Sequence, residues 1–140
     1  MMSACNPSPA LPAIAAADPL HRMTVYRLAV ALSATVWDDA VSLYKCPVTR
    51  KVAGQLYTAA GSIRANLSEG YSRASGADRA RLFEYALGSA RECRDWYDLA
   101  RPVLGDKLVG ARDATLVHIV RILLAIIPRE RRRRITRTEQ

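Results

Sequence analysis

The sequence predicts an all-α protein whose four helices form an antiparallel up-down-up-down bundle. Half of the 140 residues are hydrophobic but only 6% are aromatic, so the core must consist mainly of Ala, Leu, Val and Ile, the side chains of closely packed helices. Four segments also place apolar residues at three- and four-residue steps, which is the helical period. The links between these segments are short, and short links make successive helices antiparallel.

The first helix is predicted at about residues 23–44. Residues 1–21 are rich in Pro, Ala and Ser and show no sustained period, so we expect a flexible leader. A regular apolar stripe begins after Met23 and comprises Val25, Leu28, Leu32, Val36, Ala40 and Leu43. Pro47 cannot continue a helix interior and therefore marks the first turn.

The second helix is predicted at about residues 49–69. Its apolar stripe comprises Val52, Leu56, Ala60, Ile63 and Leu67. Gly70 follows directly, and glycine enters the left-handed region without steric cost. We therefore expect Gly70 to be a left-handed C-cap.

The third helix is predicted at about residues 76–101, because Ser75 and Asp78 have the spacing of a capping box. On its exposed side, Arg94 and Asp98 are four residues apart and are expected to pair. Pro102 and Gly105 should end this helix.

The fourth helix is predicted at about residues 106–127, with Pro128 as its end. The bundle would then span residues 22–128, and residues 129–140 would form a basic tail.

The charge is concentrated towards the C-terminus. The chain carries a formal net charge of +8, of which residues 1–100 contribute +2 and residues 101–140 contribute +6. Such an asymmetry favours an anionic partner, most often nucleic acid. Terminal charge runs are often only solubilising segments, but arginine forms bidentate contacts with phosphate. We therefore expect phosphate contacts from the tail residues Arg129, Arg131, Arg132, Arg133, Arg134 and Arg137.

The residues give no sign of an active site. His21 and His118 lack partners at a metal-ligand spacing, and no nucleophile elbow or glycine-rich phosphate loop is present. Asp38 with Asp39, and Asp95 with Asp98, could be paired carboxylates, but we interpret them as parts of solvated faces with an aromatic residue at the boundary. We expect a non-enzymatic protein without cofactor or metal.

The cysteines and the hydropathy indicate a cytoplasmic protein without membrane contact. Cys5, Cys46 and Cys93 are widely spaced and odd in number, which suggests neither a disulfide framework nor a metal site. The most apolar run, residues 116–127, is shorter than the ~20 residues that a spanning helix needs.

One polar motif lies near the end of the second helix and comprises Ser62, Asn66, Glu69, Gly70 and Arg73. The favoured interpretation is structural: capping or helix-to-helix hydrogen bonds, with Glu69 paired to Arg73. The alternative is a polar contact surface for a partner, in which Tyr71 and Arg73 also take part.

Residues 56–104 resemble a bacterial four-helix-bundle family, named for proteins encoded in intervening sequences of 23S ribosomal RNA genes. The family pattern is approximately Ser-Ile-Pro-x-Asn-Ile-Ala-Glu-Gly-x-x-Arg, and the residues that match it are Ser62, Ile63, Asn66, Glu69, Gly70 and Arg73. A second block in the third helix matches at Phe83, Tyr85, Ala86, Leu87, Gly88, Ser89 and Glu92. Arg64 stands where the family has proline.

The resemblance implies a bundle that assembles into a ring, commonly a homopentamer, without enzymatic activity. Its characterised relatives include the accessory variability proteins of diversity-generating retroelements, basic rings that bind nucleic acid and a reverse transcriptase. The leading hypothesis is therefore an oligomeric accessory protein that binds RNA or DNA. A subunit whose main partner is a reverse transcriptase is the second. The third is an enzyme with a site between subunits, for which Asn66, Glu69 and Arg73 are the candidates.

Overall fold

Four long helices form the part of the chain that the computed structural model describes, residues 18–133. They are α1 (Thr24–Tyr44), α2 (Arg50–Tyr71), α3 (Gly76–Leu99) and α4 (Asp106–Arg132). A 3-10 helix, Pro19–Arg22, precedes α1, and a single turn, Arg101–Leu104, lies between α3 and α4. No strand occurs among these residues, which confirms the all-α class. Most of the predicted leader, together with Arg134 and Arg137, lies outside the described residues.

The core runs between the four helices. α1 packs on α2, α2 on α3 and α3 on α4, while α1 and α4 meet over a smaller area. The predicted stripes point inward, since Leu43, Leu56 and Ile63 are completely buried. The largest buried side chains are two aromatic residues of α3, Phe83 and Tyr97. Over residues 18–133, no helix combines the length and the apolar character needed to cross a bilayer.

The link between α2 and α3 ends in the predicted cap. Ser75 Oγ accepts a hydrogen bond from the backbone N–H of Asp78 at 3.4 Å, which satisfies one of the orphan donors at the start of α3. The acidic side chain of Asp78 also suits the positive helix terminus. The link from the single turn to α4 relies on Gly105, whose φ of 85° is a conformation that glycine adopts without strain.

Gly70 is not a left-handed C-cap, and that prediction is wrong. α2 continues to Tyr71, and Gly105 has the only positive φ among residues 18–133. Gly70 is required for a different reason, close packing. A Cβ at this position would lie 2.8 Å from Phe83 Cε1 and 2.9 Å from Phe83 Cδ1, well inside the normal contact distance.

The prediction that Pro128 ends the fourth helix is also wrong, because α4 continues through it to Arg132. A proline inside a helix lacks the N–H that would bond the carbonyl four residues earlier, here that of Leu124. Leu124 lies on the exposed side of α4, where water can replace that bond. The turn beyond Pro128 is held by contacts with α3, so residues 129–132 belong to the helical body and not to a separate tail.

Two expectations about surface carboxylates also fail. Asp39 is buried in the core, with 4% of its side chain exposed, and is bound by Arg112, so it does not belong to a solvated face. Arg94 pairs with Asp113 of α4 at 2.6 Å and not with Asp98, which pairs with Arg101 at 3.1 Å. In both cases a partner from another helix decides the outcome, and sequence spacing does not reveal that partner.

Candidate nucleic-acid interface

The end of α2, the start of α3 and the end of α4 lie together. Gly76, the first residue of α3, abuts the last turn of α4 so closely that a Cβ there would lie 2.2 Å from the carbonyl oxygen of Glu130 and 2.7 Å from that of Arg133. Real Cβ atoms are not found at such distances, so only glycine allows this approach. The tight fit fixes the position of the last basic turn of α4.

Arg79 connects the same three segments. Its guanidinium group donates to both carboxylate oxygens of Glu130, at 2.9 and 3.3 Å, and to the backbone carbonyl of Tyr71 at 2.7 Å. It also lies 5.2 Å from the centre of the Tyr71 ring. Only 11% of the Arg79 side chain is exposed, and bidentate pairing of this kind is geometrically specific. Arg79 is therefore a structural residue and not a surface contact.

The start of α1 reaches the same region through Arg64 of α2. The guanidinium carbon of Arg64 lies 5.9 Å from the centre of the Tyr26 ring, a cation–π distance. Nearby, Arg27 donates to the backbone carbonyl of His21 at 2.9 Å. The starts of α1 and α3 and the ends of α2 and α4 thus share one end of the molecule.

We call this region the basic end. Its arginines in the described residues are Arg22, Arg27, Arg64, Arg73, Arg79, Arg81, Arg129, Arg131, Arg132 and Arg133. The carboxylates at the same end are Asp18, Glu69, Asp78, Glu84 and Glu130. The arginines therefore exceed the carboxylates twofold, and the basic end carries a positive potential.

Four of these arginines are exposed and have no carboxylate partner within residues 18–133. They are Arg22 and Arg27 before and in α1, and Arg129 and Arg132 in the last turn of α4. A guanidinium without a carboxylate partner keeps its positive charge available to phosphate, for which its planar fork is suited; that of Arg27 already donates to the His21 carbonyl and the Thr24 hydroxyl.

Two other arginines, both predicted from sequence to contact nucleic acid, are held by exposed ion pairs. Arg73 pairs with Glu69 at 2.7 Å, and about half of each side chain is exposed. Arg131 pairs with Glu84 of α3. Exposed pairs of this kind contribute ~0–1 kcal/mol, so phosphate can replace the carboxylate at small cost.

The sequence located part of this surface. Arg129, Arg131, Arg132 and Arg133 all belong to it, and Arg73 lies in the link between α2 and α3, three residues before Gly76. Sequence reasoning missed Arg22, Arg27 and Arg64. The sequence could have indicated them by position, because the start of the first helix lies close to the C-terminal part of the second, where Arg64 contacts Tyr26.

The remaining residues of the polar motif make local contacts. Asn66 Nδ2 donates to the carbonyl of Ser62 at 2.8 Å, within α2. The predicted pairing of Glu69 with Arg73 is confirmed. Among the described residues, no hydrogen bond joins Asn66 to another helix, so the motif acts mainly through the packing of Gly70 on Phe83.

The opposite end is nearly balanced in charge. Arg101 pairs with Asp98 and Asp106, at 3.1 and 3.2 Å. The hydrogen bond from Arg94 to Asp113 raises the pKa of Arg94 above its ordinary value. Shallow depressions lined by these side chains carry both signs of charge.

No group of three His, Cys, Asp or Glu side chains within residues 18–133 could hold a metal ion.

Comparison with known proteins supports one assignment. Neither the curated proteins nor the solved structures that were compared give a match. Residues 21–103, more than half of the chain, match the family described as 23S rRNA-intervening sequence protein. The matched region covers α1, α2, α3 and the two blocks around Asn66 and Phe83. The chain belongs to the 23S rRNA-intervening sequence protein family.

Proposed function

We propose that this protein is a non-enzymatic, oligomeric accessory protein that binds the phosphates of RNA or DNA with its basic end. One observation carries the proposal: arginines from four helix termini lie at the same end, and several of these are exposed without a carboxylate partner within residues 18–133. Such a surface attracts nucleic acid through counterion release, with strong salt dependence and little base specificity. Arg134 and Arg137 would extend the same contacts.

The proposed arrangement is an antiparallel bundle that assembles into a ring, with a pentamer as the expected size. The ion pairs between α3 and α4 support opposite helix directions, because Arg79 near the start of α3 meets Glu130 and Arg94 further along meets Asp113. A ring would present several basic ends together. Linked weak contacts then gain affinity through effective concentration.

An exposed apolar surface supports assembly. Trp37, Val41 and Tyr44 follow one another along α1 at helical spacing and remain exposed, while Tyr57 of α2 meets Trp37 edge to face, with ring centres 5.6 Å apart. We call these four residues the α1 apolar face. Exposed aromatic clusters of this kind are typical of protein interfaces.

Nucleic-acid binding is tested by two matched variants across a salt series. One variant replaces Arg22, Arg27, Arg129 and Arg132 with alanine, and the control replaces Lys45, Arg50, Lys51 and Lys107, which lie at the opposite end. We expect the variant of the basic end to reduce the magnitude of the negative slope of log K against log salt by up to ~4, about one unit per lost contact. The control variant should change this slope little. Equal effects of the two variants would contradict a role for the basic end.

Assembly is tested by sedimentation velocity. Trp37→Glu places a charge on the α1 apolar face and should dissociate the ring, whereas Asp38→Lys, a neighbouring exposed change, should leave it intact. A monomeric wild-type chain at micromolar concentration would overturn the proposed ring.

The second candidate function is a protein-interaction subunit of a reverse transcriptase complex, as in diversity-generating retroelements. The α1 apolar face favours it, because an aromatic surface of this kind suits a protein partner. Co-purification with the polymerase after nuclease treatment would support this function, and loss of the polymerase on nuclease treatment would favour nucleic acid as the link.

For either candidate function we place the protein in the cytoplasm, and the free thiols of Cys46 and Cys93 are consistent with a reducing compartment.

A further inference from the structure

Tyr85 of α3 is an exposed aromatic residue at the basic end. Its exposure is 52%, although tyrosine usually buries most of its ring. The guanidinium carbon of Arg81 lies 5.7 Å from the centre of this ring, and Arg81 Nη1 lies 3.5 Å from the Tyr85 hydroxyl. The adjacent residue, Glu84, pairs with Arg131 of α4. Arg81 therefore lies beside the ring, and Arg131 is held by the residue next to Tyr85 in the sequence.

The other tyrosines at this end do not offer an open ring. Tyr26 is buried, 7% exposed, beneath Arg64. Tyr71 is half-buried, and Arg79 covers its ring. Among residues 18–133, Tyr85 is thus the one exposed tyrosine of the basic end, and it too has an arginine beside its ring.

Open aromatic rings among phosphate-binding arginines distinguish single strands from duplexes. Every unpaired base has an apolar face that can stack on an aromatic side chain, whereas the bases of a duplex are already stacked inside it. Stacking on tyrosine needs no particular base, so it adds affinity without base specificity. Arg81 lies one helical turn from Tyr85, ~6 Å along the axis, and can hold a phosphate beside the stacked base.

We propose that the basic end takes single-stranded nucleic acid, with a base stacked on Tyr85 and the flanking phosphates on Arg81 and Arg131. This inference rests on the proposed function and specifies its ligand. Duplexes would still bind through phosphates, but more weakly.

The control for the test lies at the opposite end and outside the α1 apolar face. Leu99, the last residue of α3, is 60% exposed. Tyr85→Leu removes an aromatic ring from the basic end, whereas Leu99→Ala removes an exposed apolar side chain from the opposite end. Circular dichroism should confirm that both variants fold, and Tyr85→Phe should retain wild-type behaviour.

The experiment measures fluorescence anisotropy with a labelled dT oligonucleotide, a U oligonucleotide and a hairpin duplex of equal charge. We expect tighter binding of wild type to both single strands, a loss of about fivefold or more in Tyr85→Leu for single strands only, and no change in Leu99→Ala. Equal losses on duplex and single strand, or no loss in Tyr85→Leu, would overturn the role of Tyr85 while leaving phosphate binding intact. Absence of wild-type binding to all three probes would instead overturn the proposed function.

Discussion

The hydroxyl group of Tyr97 donates a 2.6 Å hydrogen bond to Oδ2 of Asp39, in the interior of the protein. The same carboxylate accepts two bonds from Arg112, at 2.7 and 3.2 Å. These three residues join α1, α3 and α4, and they do so where α1 and α4 have little other contact. A buried carboxylate is tolerated only when its oxygens are paired and hydrogen-bonded, as they are here.

Removal of one partner of Asp39 should therefore destabilise the fold. Arg112→Ala leaves the buried carboxylate without its cation, and we expect a loss of about 2–4 kcal/mol, below the usual cost for a buried pair because Arg112 is partly exposed. Tyr97→Phe removes one hydrogen bond to the same group and should cost about 1–3 kcal/mol. Urea unfolding measures both losses.

Arg101→Ala provides the control for Arg112→Ala. It also removes an arginine with two carboxylate partners, but both pairs are exposed and should contribute little to stability. A loss in Arg112→Ala no larger than in Arg101→Ala would show that the buried pair does not stabilise the fold.

Stability should fall at alkaline pH because two buried acids of α3 resist ionisation. Burial raises the pKa of Cys93 from 9.0 to about 12, and burial together with the hydrogen bond to Asp39 raises the pKa of Tyr97. Above pH 9 the unfolded chain loses protons that the folded chain keeps, so the free energy of unfolding decreases with pH. Cys93 alone should contribute about 1.4 kcal/mol per pH unit between its two pKa values.

Unfolding experiments between pH 8 and ~11 test this dependence. Cys93→Ala should show a shallower decline than wild type, whatever its stability at neutral pH. If the free energy of unfolding of this variant fell with pH as steeply as that of wild type, Cys93 would have the same pKa in the folded and unfolded states.

Gly70→Ala should destabilise the protein by about 1–3 kcal/mol, because the new methyl group would overlap the Phe83 ring. The ring is completely buried and cannot move aside. Gly61→Ala in the same helix is the control: a Cβ there meets nothing within 4 Å, and alanine should stabilise the helix by about 0.5–1 kcal/mol. Thermal melts compare the two variants: we expect the melting temperature to fall in Gly70→Ala and to rise in Gly61→Ala.

The sequence predicted the features that depend on local pattern. Helical period, the short links and the Ser75 cap each act over a few residues, and the four helices begin within about one residue of the expected positions. The family pattern also marked Gly70 correctly as an important position. Its role was misjudged because the deciding contact, with Phe83, comes from another helix.

The errors have a common physical cause, which is tertiary contact. Asp39 looks like a solvated carboxylate beside Asp38, and only the approach of Tyr97 and Arg112, more than 50 residues away, makes its burial possible. Pro128 reads as a helix end, yet the contact of Glu130 with Arg79 holds the turn beyond it. The basic end was likewise only partly predicted, because it is assembled from four separate helix termini.

The docking of the last turn of α4 on Gly76 should control how the basic end presents its arginines. Gly76→Ala would bring a methyl group against the carbonyl oxygens of Glu130 and Arg133, so the turn must move away from α3 and strain its contact with Arg79. We expect faster hydrogen exchange after Pro128 and a lower affinity for nucleic acid. Gly88→Ala in the same helix has open space around its Cβ and should change neither property. If exchange beyond Pro128 stayed at the wild-type rate in Gly76→Ala, close packing at Gly76 would not be what holds the last turn in place.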